Sequence, residues 1–194
     1  FCLSRGLGDV YKRQEYLLSQ ERSVNRPLGY LAVLRAIADG QTQPGDIAST
    51  AGFHSASDIA TLLERLREFR LIDRIVPINA AMRTRNSRYV IADLFLAFWF
   101  RFVQPSEAAL EQGADSWVLQ HRVLPNLDWF VSRPQGPWER ACQDYLWRAF
   151  RAGRLGDGGF DRLGAWWEGR GATDSVEIDL VALDGERVVL AGSC

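Results

Sequence analysis

Apolar residues recur at helical spacing over residues 30–38 and stop at Gly40, which predicts a helix closed by a left-handed C-cap glycine. The text is already helical in character from Glu15. Thr42 is then placed to cap a short second helix, with Pro44 in its first turn, Ile47 and Ala48 facing inward and Gly52 as its end. Ser55 or Ser57 opens a third helix, in which Ile59, Leu62, Leu63, Leu66 and Phe69 repeat at intervals of three and four and form one apolar stripe. Residues 71–77 and 88–91 have strand character and flank a polar loop over 79–87. Three short helices followed by a hairpin are the order of a winged helix-turn-helix, expected over 15–92.

Beyond the hairpin the pattern changes. Asp93 is a plausible N-cap for a helix with five aromatics in eight residues (Phe95, Phe98, Trp99, Phe100, Phe102), too many for one narrow stripe. That helix is expected to be buried on several sides, at the head of an aromatic and helical connector over 93–132. The breaker cluster Arg133-Pro134-Gln135-Gly136-Pro137 marks a boundary, and residues 138–151 read as a helix with Pro137 at its start. Trp166-Trp167 reads as a buried sheet or interface anchor, and residues 176–183 as a strand. The apolar run from Val188 breaks off at Gly192-Ser193-Cys194 without a cap or polar tail, which is read as a truncation.

Composition adds exclusions. With 47% hydrophobic and 24% charged residues the chain is an ordinary globular sequence, and a net charge of -1 leaves any nucleic-acid role to a local patch. The most apolar stretch, residues 94–103, is interrupted by Arg101 and is about half the ~20 residues a bilayer span needs, so no membrane partner is expected. Cys2, Cys142 and Cys194 are too few and too scattered for a disulfide framework or zinc site, and no secretory signal is present, so a cytoplasmic location is expected. His54 and His121 have no acidic or cysteine partner at ligand spacing, and Cys142 reads as a small packed hydrophobe. Of the 23 basic residues only Lys12 is a lysine. It sits in Asp9-Val10-Tyr11-Lys12-Arg13-Gln14, which looks like the translation of a transposase mosaic-end adapter, so residues 1–14 are set apart from the fold as a sequencing artefact.

Two groups of residues carry candidate chemistry. Arg83, Arg85 and Arg88 cluster around the hairpin without an acid nearby in sequence, and arginines so placed lie along a phosphate backbone in double-stranded DNA. The third helix offers no such excess, since Asp58, Glu64 and Glu68 balance Arg65, Arg67 and Arg70. The alternative is that helices and hairpin form a dimerisation or intramolecular docking module. On the strand 176–183, Glu177 and Asp179 share a face by alternation, and two carboxylates so placed hold a hard cation through oxygen.

The run "Y-x-I-x-D-x-F-L-x-F-W-F-R-F-V" from Tyr89, with Trp166-Trp167 and the later Glu177-Ile178-Asp179-Leu180-Val181-Ala182-Leu183, resembles the C-terminal half of archaeal and bacterial P-loop ATPases of the STAND group. The resemblance implies an α+β fold: a winged helix-turn-helix followed by a truncated α/β restriction-endonuclease-like domain over 133–194. It implies a C-terminal regulatory and DNA-contacting region, with the parent ATPase domain as a partner and ATP bound only through that missing N-terminal part. No Gly-x-x-x-x-Gly-Lys-Ser/Thr exists here, so ATP hydrolysis is not expected of this chain itself. The second implied reading is a metal-dependent nuclease using Glu139 on a helix with Glu177 and Asp179, the latter two binding magnesium or manganese in an intact parent. Gly192-Ser193-Cys194 departs from that pattern where Gly-Glu-x-Lys is expected, so no metal is assigned to this chain alone. The third reading is a protein-interaction module that reports the state of the ATPase.

Overall fold

A computed structural model describes residues 27–81, 84, 86–155, 159–168 and 176–194. The adapter-like segment 1–14, and the helical expectation from Glu15 up to residue 26, lie outside them. The architecture is α+β, in the chain order α1 (Pro27–Ala38), α2 (Pro44–Thr50), α3 (Ala56–Glu68), β1 (Ile72–Ile75) and β2 (Arg88–Ile91) for the first part. α4 (Leu94–Phe98), α5 (Glu107–Glu111), α6 (Asp115–Val118), α7 (Leu124–Ser132) and α8 (Pro137–Arg151) follow, and then β3 (Arg162–Glu168), β4 (Val176–Asp184) and β5 (Arg187–Gly192).

The expected punctuation is visible residue by residue. Gly40 takes φ +99°, and Gly52 φ +80°, where the first two helices close. α3 is opened by Ser55, whose N–H donates to the Asp58 carboxylate at 3.0 Å in a capping box. Asp93 caps α4 by accepting from the Leu96 N–H at 2.7 Å. One cap differs from expectation. Gln43, not Thr42, is the N-cap of α2, because the Thr42 carbonyl accepts from the Tyr89 N–H at 2.8 Å and so ties the turn to β2.

β1 and β2 pair antiparallel with Ile72 opposite Ile91, and their inward residues close over α1–α3. Ile47, Ile59, Leu66 and Val33 are fully buried there. The aromatic run is buried only in part. Phe100 and Phe102 enter the core, where Phe98, Phe102 and Phe130 pack edge to face at 4.9–5.8 Å, while Phe95 is 38% exposed. The segment Trp99–Val103 is a π-helical turn, which rotates successive aromatics onto different faces.

A second apolar cluster sits at the C-terminal end. β3, β4 and β5 form an antiparallel meander with β4 in the centre. Ala149 of α8, Trp167 of β3 and residues 180–183 of β4 are buried in it, and Trp147, Phe150 and Phe160 stack beside them. β5 pairs with β4 only from Leu180 onward, so Glu177 and Asp179 lie on the stretch of β4 that pairs with β3 alone.

Candidate functional site

The two clusters are joined along one seam, on which two of the sequence-predicted residues, Arg88 and Glu177, meet. Arg88, the first residue of β2, donates Nη1 and Nη2 to Glu177 Oε1 and Oε2 at 2.5 and 2.9 Å, a two-toothed pair. Its guanidinium lies over the Trp167 ring, 4.3 Å from the centroid. Trp167 in turn donates its indole N–H to Asn86 Oδ1 at 3.0 Å, and the Ile78 N–H donates to the Ala165 carbonyl at 2.9 Å. The hairpin is therefore clasped to β3 and β4 through backbone, amide, indole and charge together. Arg88 and Glu177 side chains retain 12% and 20% exposure, so their pairing is largely withdrawn from water. The acid absent from the local sequence of Arg88 arrives from 89 residues downstream. Arg83 and Arg85 lie outside the described residues.

Glu139, in the first turn of α8, is buried at 4% exposure. Its carboxylate accepts from the Gln135 N–H at 2.6 Å, from Gln135 Nε2 at 2.5 Å and from Gln143 Nε2 at 3.2 Å. Burial pushes its pKa up to about 7, and the neighbouring charges of Asp179 and Glu177 push the same way, against the Gln135 N–H and Arg88. Gln135 pays a conformational penalty to make these bonds, since it is held at φ +60°. Asp179 accepts the backbone N–H of Cys194 at 2.8 Å, which brings the end of the chain against β4. Burial and a contact with the Cys142 thiol push the Cys194 thiol up to about 12. The fold thus brings Glu139, Glu177 and Asp179 into one electrostatic neighbourhood. Among the described residues no group of three or more His, Cys, Asp or Glu side chains converges as a metal cage, and Glu177 is already neutralised by Arg88.

Sequence reasoning missed three arginines, one of which stitches the same seam while two fasten the helices of the first cluster. Arg140 donates Nη2, Nη1 and Nε to the carbonyls of Ile91, Ala92 and Gln135 at 2.8, 2.7 and 3.2 Å, fastening α8 to the end of β2. Arg133 donates to the Ala38 carbonyl at 3.0 Å and lies over the Phe130 ring. Arg101 pairs with Asp39 at 2.5 Å and lies over Trp129, and its buried Nε has no hydrogen-bond partner. Each reaches a carbonyl or ring distant in sequence, so no local pattern announces it.

Similarity to a known family falls on this half of the chain. Residues 99–194 match the DUF234 family. DUF234 is described as archaea bacterial proteins of unknown function, and its match takes in α8, the three-stranded meander, Glu139, Glu177 and Asp179. Over 177 residues the chain is also 31% identical to uncharacterized protein MJECL04 of Methanocaldococcus jannaschii, a similarity covering 91% of this chain. The chain spans 37% of the length of that relative. No solved structure matches. Among the described residues no helix is long and apolar enough to cross a membrane.

Proposed function

We propose that this chain is a C-terminal regulatory region of a longer P-loop ATPase, in which α1–α3 and the β1–β2 hairpin act as a winged helix that contacts double-stranded DNA. The observation carrying the reading is the clasp: a helix–hairpin unit fastened through Arg88, Asn86 and Ile78 to a sheet bearing acidic groups. A hairpin so fixed transmits any force on its loop to the C-terminal sheet. The greater length of MJECL04 supports a larger parent, and the resemblance to STAND ATPases supplies its nature. Because Arg88 is committed to Glu177, the contact with phosphate falls to Arg83 and Arg85.

Duplex binding titrated across salt tests this. The chain should bind more weakly as salt rises, and Arg83→Ala with Arg85→Ala should reduce the log–log slope by about 2, one for each lost phosphate contact. A flat response, or an unchanged slope in the double variant, removes DNA contact from the account.

A second reading, a metal-dependent nuclease in the intact parent, is favoured by one arrangement: α8 with Glu139 followed by a β3–β4–β5 meander that brings Asp179 near it. Magnesium or manganese would sit on Asp179 and Glu177, with Glu139 close by, and would activate a water. The clasp opposes this by occupying Glu177. Cleavage by the chain with either metal, lost in Asp179→Ala, would establish it. Equal activity in the variant would end it.

A further inference from the structure

A cleft of about 330 Å³ opens where the helix–hairpin unit, α7 and α8 meet, a volume at the lower end of ordinary small-ligand pockets. Its wall carries three guanidinium groups, Arg88, Arg133 and Arg140, against the carboxylates of Glu177 and Asp46. Glu177 is consumed by Arg88, Asp46 is exposed on the first turn of α2, and Arg140 is offset by Asp73, Glu139 and Asp93 and donates to three backbone carbonyls, so Arg133 is the least compensated cation of the recess, with Arg140 beside it. Asp39 is the nearest relief for Arg133, and it is shared with Arg101. Arg133 and Arg140 stand close enough to repel one another, and burial with that repulsion brings Arg133 down to about 10. Trp129, 41% exposed, forms an apolar wall of the same cleft beside Arg133.

We propose that this cleft binds a phosphorylated small molecule, its phosphoryl group held by Arg133 and Arg140 and its body laid against Trp129. Guanidinium forks match phosphate oxygens in geometry as well as charge. The proposal does not depend on the DNA reading. Occupancy would neutralise the crowded arginines of the seam, and would thereby strengthen the contact between the helical unit and α8.

Calorimetric titration of the whole chain with inorganic phosphate, at constant ionic strength and neutral pH, tests the proposal. Saturable one-to-one binding is expected, weakened about tenfold or more in Arg133→Met, the loss typical of one charge-assisted hydrogen bond. Asp46→Asn, an exposed change that leaves the fold intact, should tighten binding by about two- to fivefold through removal of a repelling charge. No saturable binding by the unaltered chain would overturn the proposal. So would equal affinity in Asp46→Asn and the unaltered chain, and that comparison decides alone should Arg133→Met fail to fold. Repeating the titration with excess duplex DNA separates the two sources of phosphate. Retained binding supports a small ligand, and complete displacement by the duplex overturns it in favour of backbone phosphate.

Discussion

Glu139 is a carboxylic acid that the folded chain keeps among hydrogen-bond donors yet away from water, and the loss of water dominates. An unfolded glutamate gives up its proton near 4.5, whereas this one does so at about 7. Between those values the folded state binds a proton that the unfolded state has released, so stability falls as pH rises from 4.5 to 7 and is level above it. The span is up to about 3 kcal/mol. Urea unfolding at a series of pH values should show this decline, and Glu139→Gln should flatten it. A decline of the same size in the variant would place its origin elsewhere. Arg88 belongs to the same scale. Either partner of its pair, removed alone, leaves a charge largely cut off from water, which costs far more than an exposed pair ever contributes.

At the scale of elements, much was legible, and the reason is that the signals are local. Gly40, Gly52, Pro44, Ser55 with Asp58, and Asp93 each act within four residues, so their roles could be read from the text. Even Thr42 was misread only because its carbonyl answers to Tyr89 in another element. The π-helical turn at Trp99–Val103 had no local signal beyond aromatic density, and the pairing of Arg88 with Glu177 could not be seen because it is a product of the sheet packing. The candidate carboxylates were placed by resemblance and alternation. What these could not show was the centre-strand position of β4 or the burial of Glu139.

Two backbone positions test the element account. Arg70 closes α3 at φ 57° with its side chain exposed, and its N–H donates to Arg67 while that of Leu71 reaches Leu66. Glycine there should stabilise the chain by about 1 kcal/mol, measured by chemical unfolding, because a Cβ is strained in that conformation. Gly40 is the reverse case, since a Cβ would lie 2.7 Å from Trp129 Cζ2 at φ +99°. Gly40→Ala should cost about 2 kcal/mol, and less when Trp129 is also replaced by alanine. Equal losses in the two backgrounds would show that α7 does not press on this turn.

Across the whole molecule the two apolar clusters could each support a separate unit, and the seam decides whether they behave as one. Arg140 of α8 reaching Ile91 and Ala92, and the hairpin clasp on β3 and β4, both cross it. Charge is concentrated at this boundary, where guanidinium groups and carboxylates meet with little water between them. Such a boundary is stiff while its pairs are intact and responds strongly to a ligand that adds or removes one charge.

The clasp is what the account rests on, and a double-mutant cycle on Arg88 and Glu177 tests it most directly. Arg88→Ala and Glu177→Ala should each destabilise the chain by about 2–4 kcal/mol in chemical unfolding, and the double variant by about as much as one alone, leaving a coupling of about 2–4 kcal/mol. Strictly additive losses, with no coupling, would mean that hairpin and sheet are not fastened through this pair, and would contradict the account.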